Sequence, residues 1–126
     1  MSEDTARSIR VAGAVDLLSI ARFQDELRRA AKFFRPRLPA ADALAEAVKK
    51  IQSNPAFAQS RVLTRILSAL TYQEGEFRRA EASLLDSDTL FMVLTLMDGY
   101  AAGTPVREEW IRAVDAARAA ELSAGG

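Results

Sequence analysis

The stretch DSDTLFMVLTLMDGYAAG, residues 86–103, decides the fold class of this chain. Its first three residues offer side-chain oxygens that cap a helix N-terminus, and Gly103 favours the left-handed turn that ends one. Between them, residues 90–97 are apolar at every position except Thr95, so the helix has almost no polar face. Such a helix lies either at the centre of a core or against another chain. We predict a helix over residues 87–102 and keep both placements open, including a homodimer interface.

Prolines, glycines and capping residues divide the rest of the chain into further helices. Pro36 disfavours helical geometry before it, Asn54-Pro55 resembles an N-cap followed by proline at the first helical position, and Gly75 favours a helix end. The predicted helices span residues 11–35, 39–53, 55–74, 77–85 (short) and 105–121. With the short segment 77–85 counted together with the helix over 87–102, these elements predict an all-α bundle of about five helices with orthogonal or antiparallel packing.

Apolar residues at helical spacing predict which faces are buried. Residues 11–35 carry the stripe Leu17, Ile20, Phe23, Leu27, Ala31 and Phe34, and residues 105–121 carry Val106, Trp110, Val114 and Ala117. No alternating pattern predicts a strand. We expect one domain over residues 11–122, between a flexible segment at 1–10 and a disordered tail at 123–126.

The chain has no histidine and no cysteine, which excludes the residues most used for acid–base catalysis, thiol chemistry and zinc binding. Its acidic clusters have simpler explanations. Residues 86–88 suit a helix cap better than a calcium loop, and Glu108 and Glu109 fall in a helix first turn, where the helix dipole favours carboxylates. The sequence therefore predicts a protein that is not an enzyme and binds no metal or cofactor.

Composition also predicts where the protein works. No apolar run approaches the roughly 20 residues of a membrane span, and the N-terminus lacks the features of a cleavable signal. The absence of cysteine suits a reducing compartment, and the excess of arginine and alanine is typical of GC-rich bacterial genomes. We expect a soluble, cytoplasmic bacterial protein without membrane contact.

Charge is balanced overall but uneven along the chain. Residues 1–63 contain 11 Lys and Arg against 7 Asp and Glu, whereas residues 64–126 contain 6 against 10. The two halves can neutralise each other within one molecule. Alternatively, the chain pairs head to tail or presents one charged face to a partner.

The strongest functional candidate is the basic corner, which we define as residues 28–37. It contains Arg28, Arg29, Lys32, Arg35 and Arg37 with no acidic residue, and Phe33 and Phe34 lie among them. Cations at a helix C-terminus complement the helix dipole, which explains the pattern without any ligand. The functional interpretations are a docking patch for an acidic protein surface and a nucleic-acid contact.

We predict a non-catalytic protein–protein interaction module, such as an adaptor, a regulator or a chaperone-like subunit. The expected partner is a protein, and an acidic protein surface would suit the basic corner. The alternative is nucleic-acid binding through the same corner. Phe91, Met92 and Leu96 are candidate apolar anchors where the helix over 87–102 is exposed. The predicted partner-binding residues are Arg28, Arg29, Lys32, Phe33, Arg35, Arg37 and Phe91.

Overall fold

The computed structural model describes residues 17–32 and 42–125. This part of the chain forms the predicted helical bundle, with one unpredicted addition, a sheet of two short strands. In chain order the elements are β1 (Leu17–Ser19), α1 (Ile20–Ala31), α2 (Ala43–Ser53), α3 (Ala58–Tyr72), β2 (Glu76–Arg78), a 3-10 helix (Arg79–Leu84), α4 (Ser87–Ala101) and α5 (Arg107–Gly125).

The helix that decides the fold class is confirmed. The carboxylate of Asp86 caps α4 by accepting the Thr89 N–H at 2.8 Å, and Gly103 takes a φ of +78° after its end. α4 packs against α1, α2 and α3. Its apolar residues Leu90, Val93, Leu94, Leu96 and Met97 are buried within the one chain. The core placement therefore accounts for most of its apolar surface.

The prediction that a helix begins before residue 17 is wrong at residues 17–19, which form β1. This strand pairs antiparallel with β2, and Leu18 lies opposite Phe77 with both side chains buried. Helical geometry starts only where the Ser19 hydroxyl accepts the Arg22 N–H. The short strand displaces Leu17 from the predicted stripe, so this side chain is 48% exposed.

The predicted proline start of the third helix is also wrong. The Asn54 N–H closes the last turn of α2 on the Lys50 carbonyl, and the Phe57 N–H then bonds the Asn54 carbonyl at 3.1 Å. The chain therefore makes a turn at Pro55 before α3 begins at Ala58.

The remaining differences between the predicted and observed ends of the elements fall in the segments that join the helices. α2 begins at Ala43 because Asp42 supplies the cap, and α3 ends at Tyr72 because Gln73 already adopts left-handed geometry with a φ of 55°. The short helix predicted over 77–85 is β2 followed by the 3-10 helix. α5 continues to Gly125, so residues 123–125 of the tail predicted to be disordered are helical. Residues 33–35 and 39–41, which were predicted to be helical, lie outside the described part.

α5 packs along both α2 and α3 and closes the core. Trp110, Val114 and Ala117 are buried as predicted, and the Tyr100 ring meets the Trp110 ring edge-on at 5.3 Å between centroids. Val106 does not join this stripe. It precedes the first residue of α5 and is 60% exposed.

The turn between α4 and α5 is tight at Gly99. A Cβ atom built there would lie 2.8 Å from the Thr104 carbonyl oxygen, closer than real Cβ contacts occur. The Thr104 N–H in turn donates to the Gly99 carbonyl at 2.9 Å. Glycine therefore allows the close turn after α4, which places the start of α5 near the C-terminal end of α4.

Candidate functional site

The structure describes three of the predicted partner-binding residues in the basic corner. Arg28 donates to the Asp98 carboxylate at 2.6 Å and so joins α1 to α4. Arg29 and Lys32 are exposed, and neither has a carboxylate within ion-pair distance among residues 17–32 and 42–125. Phe33, Arg35 and Arg37 lie outside the described residues, so the predicted corner as a whole stays a prediction.

Beside Arg29 the structure shows a groove, which the sequence did not predict. It lies between α1, the 3-10 helix and the first turn of α4, and its volume is about 500 Å³. The residues that line the groove are Glu26, Arg29, Ala30, Arg79, Ala82, Ser83, Leu85 and Leu90. This volume lies within the range of sites that hold small ligands or single large side chains.

Small residues make the groove possible. Ala30 faces it from α1 and Ala82 from the 3-10 helix, so the two elements leave space where larger side chains would meet. Both alanines are partly buried against the core, and Leu85 and Leu90 are buried beneath them. The floor of the groove is therefore apolar and continuous with the hydrophobic core.

The rim of the groove carries more positive than negative charge. Arg79 donates to the Glu26 carboxylate at 2.6 Å, which neutralises one arginine and fixes the 3-10 helix against α1. Arg29 is a second cation on the rim, and Lys32 lies exposed one turn further along α1. An apolar floor below cationic side chains suits an apolar group with a neighbouring carboxylate.

The anchor residues predicted on α4 lie elsewhere in the core. Leu96 is 2% exposed and so cannot contact a partner, whereas Phe91 and Met92 are half-buried and packed against the core. None of the three lines the groove. The assignment of Phe91 to a partner-binding surface therefore stays a prediction.

A second group of arginines, absent from the predicted site, surrounds the C-terminal end of α3. The Arg107 guanidinium donates to the Thr71 carbonyl at 2.9 Å, where a cation complements the helix dipole. Arg118 donates to the Ser68 hydroxyl, and both guanidinium groups lie within 6 Å of the Tyr72 ring centroid. These contacts hold α5 against α3 and give both arginines a structural role.

A third arginine extends an aromatic stack. The Phe23 and Phe77 rings are nearly parallel at 4.4 Å between centroids, and the Arg65 guanidinium lies 5.3 Å from the Phe77 centroid. Arg65 also pairs with Glu81. Burial lowers the pKa of Arg65 from its ordinary value, and the Glu121 carboxylate opposes the shift. The stack therefore attaches α1 and β2 to α3.

In residues 17–32 and 42–125, no group of three or more carboxylates could hold a metal ion. Asp86 acts as a cap. Burial raises its pKa, but the Thr89 N–H, the Gln59 side chain and Lys50 together lower the pKa by more, so the net shift is downward.

The groove could not be found from sequence spacing, because its walls come from three elements far apart in the chain. The Arg29-Ala30 pair is no signal, because an arginine followed by an alanine recurs away from the groove at Arg112-Ala113 and Arg118-Ala119. Among the described helices, none is long and apolar enough to cross a membrane.

No protein-family model, curated protein or solved structure matches the chain.

Proposed function

We propose that this chain is a non-catalytic protein-interaction module whose groove binds an acidic segment of a partner protein. The observation that supports it is the apolar floor of Ala30, Ala82 and Leu90 beneath a rim that carries Arg29 and Arg79. The proposal includes the sequence-based expectation of a cytoplasmic bacterial protein that acts as an adaptor, regulator or chaperone-like subunit.

The groove favours a protein segment over nucleic acid. Phosphate binding depends on several unpaired cations along a surface. Here Arg28 is paired with Asp98 and Arg79 with Glu26, whereas the apolar floor offers nothing to a phosphate backbone. An aliphatic side chain flanked by carboxylates would use both the floor and the rim.

The test uses an acidic amphipathic peptide of leucine and glutamate, with a peptide of leucine and lysine as its matched control. Binding is followed by the amide NMR shifts of the full chain and by fluorescence anisotropy. We expect the acidic peptide to shift the amides of Ala30, Ala82 and Leu90, and binding to weaken as salt screens the rim charges.

Two variants and one control locate the site. Arg29→Glu should weaken binding of the acidic peptide by about tenfold or more because it places like charges together. Ala82→Trp should block the groove without changing charge. Arg112→Glu makes the same charge change on α5, outside the groove lining, and should leave binding nearly unchanged.

Two results would contradict the proposal. Peptide shifts confined to a surface that excludes the groove would show that the groove is not the docking site. Binding of a DNA or RNA duplex that Arg29→Glu abolishes, without any binding of the acidic peptide, would favour the nucleic-acid function instead.

A further inference from the structure

The start of α5 presents the chemistry that the groove would bind. Val106 is 60% exposed and lies directly before the helix, although it belongs to an apolar stripe in the sequence. Glu108 and Glu109 follow it in the first turn, and both are exposed. We call these three residues the α5 knob: an exposed aliphatic side chain flanked by two carboxylates.

The two carboxylates of the knob form no ion pair with the cations around them in the described part of the chain. Arg107 lies between Val106 and Glu108 in the sequence, but its guanidinium donates to the Thr71 carbonyl and lies near the Tyr72 ring. Asp42 lines a cavity with Glu109, and Lys49 and Arg112 line a second cavity with both of these acids. Among the described residues, neither Glu108 nor Glu109 has a cation within ion-pair distance. The knob therefore presents two carboxylates without ion pairs beside Val106, whereas the groove presents net positive charge around an apolar floor.

The knob and the groove of one molecule lie near opposite ends of α4. Leu90 of the groove is in the first turn of α4, whereas Val106 follows its last turn. A helix of this length spans roughly 20 Å at 1.5 Å per residue, so a knob cannot enter the groove of its own chain. The two surfaces can meet only between separate molecules.

We infer that the chain associates with a second copy of itself, head to tail, by inserting the α5 knob of one molecule into the groove of the next. This inference rests on the proposed function, because it names the acidic segment that the groove binds. Val106 contacts the apolar floor, and Glu108 and Glu109 face Arg29 and Lys32. Arg29 and Lys32 belong to the basic half of the chain, whereas Glu108 and Glu109 belong to the acidic half.

Such a contact has defined consequences for assembly. It is heterologous, since different surfaces of the two copies meet, and it leaves one free knob and one free groove on every dimer. Growth can therefore continue to longer chains or closed rings. One side chain in a groove of this size buries little area, which is typical of transient, concentration-dependent association.

The experiment is sedimentation velocity of the full chain over a concentration series at low and physiological salt. We expect the mean molar mass to rise with concentration and to fall when salt is added. Arg29→Glu and Glu108→Arg should each weaken self-association by about tenfold or more. The double variant Arg29→Glu/Glu108→Arg should regain it, because the exchanged charges again attract.

A mixing experiment distinguishes this contact from a symmetric dimer. Ala82→Trp blocks the groove, and Val106→Asp removes the apolar part of the knob, so each variant alone should be monomeric. An equal mixture of the two should form heterodimers and nothing larger, since one intact groove meets one intact knob. A symmetric groove-to-groove contact would give no heterodimer from this mixture.

The possible failures separate the two proposals. A chain that stays monomeric at every concentration, or that self-associates equally well with both single charge reversals, would overturn the inference. If the acidic peptide still shifts the groove amides in that case, the proposed function stands with a foreign partner. If neither binding of the acidic peptide nor self-association is changed by Arg29→Glu and Ala82→Trp, both proposals fail.

Discussion

The bundle has two layers that are held together in different ways. The inner layer consists of α2, α3 and α5, in which α5 packs along both other helices and buries Trp110, Val114 and Ala117. The outer layer consists of β1, α1, β2 and the 3-10 helix. Its own elements are joined by an aromatic stack, a two-stranded sheet and the Glu26–Arg79 ion pair. It is attached to the rest of the bundle by the packing of α1 against α4 and by ion pairs such as Arg28–Asp98.

This difference explains why the groove lies where it does. The inner helices fit together through broad apolar faces and small residues. The outer layer has fewer buried contacts, and the space between its elements remains open as the groove. Regions with fewer apolar contacts also open at lower free energy, which suits a surface that adapts to a partner. The groove of the proposed function therefore lies in the layer with fewer buried contacts.

The largest expected effect comes from the inner layer. Trp110→Ala should lower the free energy of unfolding by about 3–5 kcal/mol, because it empties a fully buried site between α5 and the rest of the core. Denaturant unfolding measures this change. Trp110→Phe is the control and should cost much less, since the indole N–H has no hydrogen-bond partner in the described part of the chain.

A loss below about 1 kcal/mol for Trp110→Ala would show that the inner layer does not depend on close packing of α5, since large aromatic truncations in cores exceed that value. The contrast between the layers would then be wrong.

The outer layer should respond more weakly and more locally. Phe77→Leu removes the stack with Phe23 but keeps an apolar side chain, so we expect a loss of about 1–2 kcal/mol. Hydrogen exchange should show α1 amides losing protection before those of α3. Leu17→Ala, at a half-exposed site in the same sheet, serves as the control and should change little.

Equal loss of protection in α1 and α3 would contradict the separation of the layers, because it would mean that both open together in one cooperative unit.

α4 packs against helices of both layers. Its N-terminus is capped by Asp86, whose contribution to stability depends on pH. Asp86→Ala should lower stability by about 1 kcal/mol at neutral pH, since it removes the cap of α4. The pKa of Asp86 is lower in the folded chain than its ordinary value of 3.8. The stabilisation by its charge is therefore complete above that value and is lost as the pH falls below it.

Asp86→Asn separates the charge from the cap, because asparagine still accepts the Thr89 N–H. The wild type should exceed this variant in stability at pH 7, and the difference should shrink when unfolding is measured near pH 3. A difference that stays constant over this range would show that the Asp86 charge contributes nothing.

The sequence was informative where caps and apolar runs act locally. α4 begins and ends as predicted because Asp86 and Gly103 set its bounds through their own backbone neighbours. Pairing over long distances was not accessible. β1 lies inside an apolar stripe with helical spacing, and only its contact with β2, almost sixty residues later, makes residues 17–19 extended.

The same reason limits what could be predicted about the site. Arg29 was identified from the run of basic residues, but its partners in the groove, Arg79, Ala82 and Leu90, come from other elements. Arg28 belongs to the same run and instead pairs with Asp98 on α4. Val106 was assigned to the core from its spacing, but it lies one residue before α5 begins and is exposed.

The smallest expected effect distinguishes two hydroxyl groups inside α3, the central helix of the inner layer. The Thr71 hydroxyl is buried without a hydrogen-bond partner among the described residues, whereas the Thr64 hydroxyl donates to the Ser60 carbonyl at 3.1 Å. Thr71→Val should therefore leave stability unchanged or raise it by up to about 1 kcal/mol, because valine of nearly equal shape needs no partner. Thr64→Val, the matched control, should lower stability by about 0.5–1 kcal/mol. Loss of stability in both variants, measured by thermal unfolding, would mean that Thr71 is paired in solution.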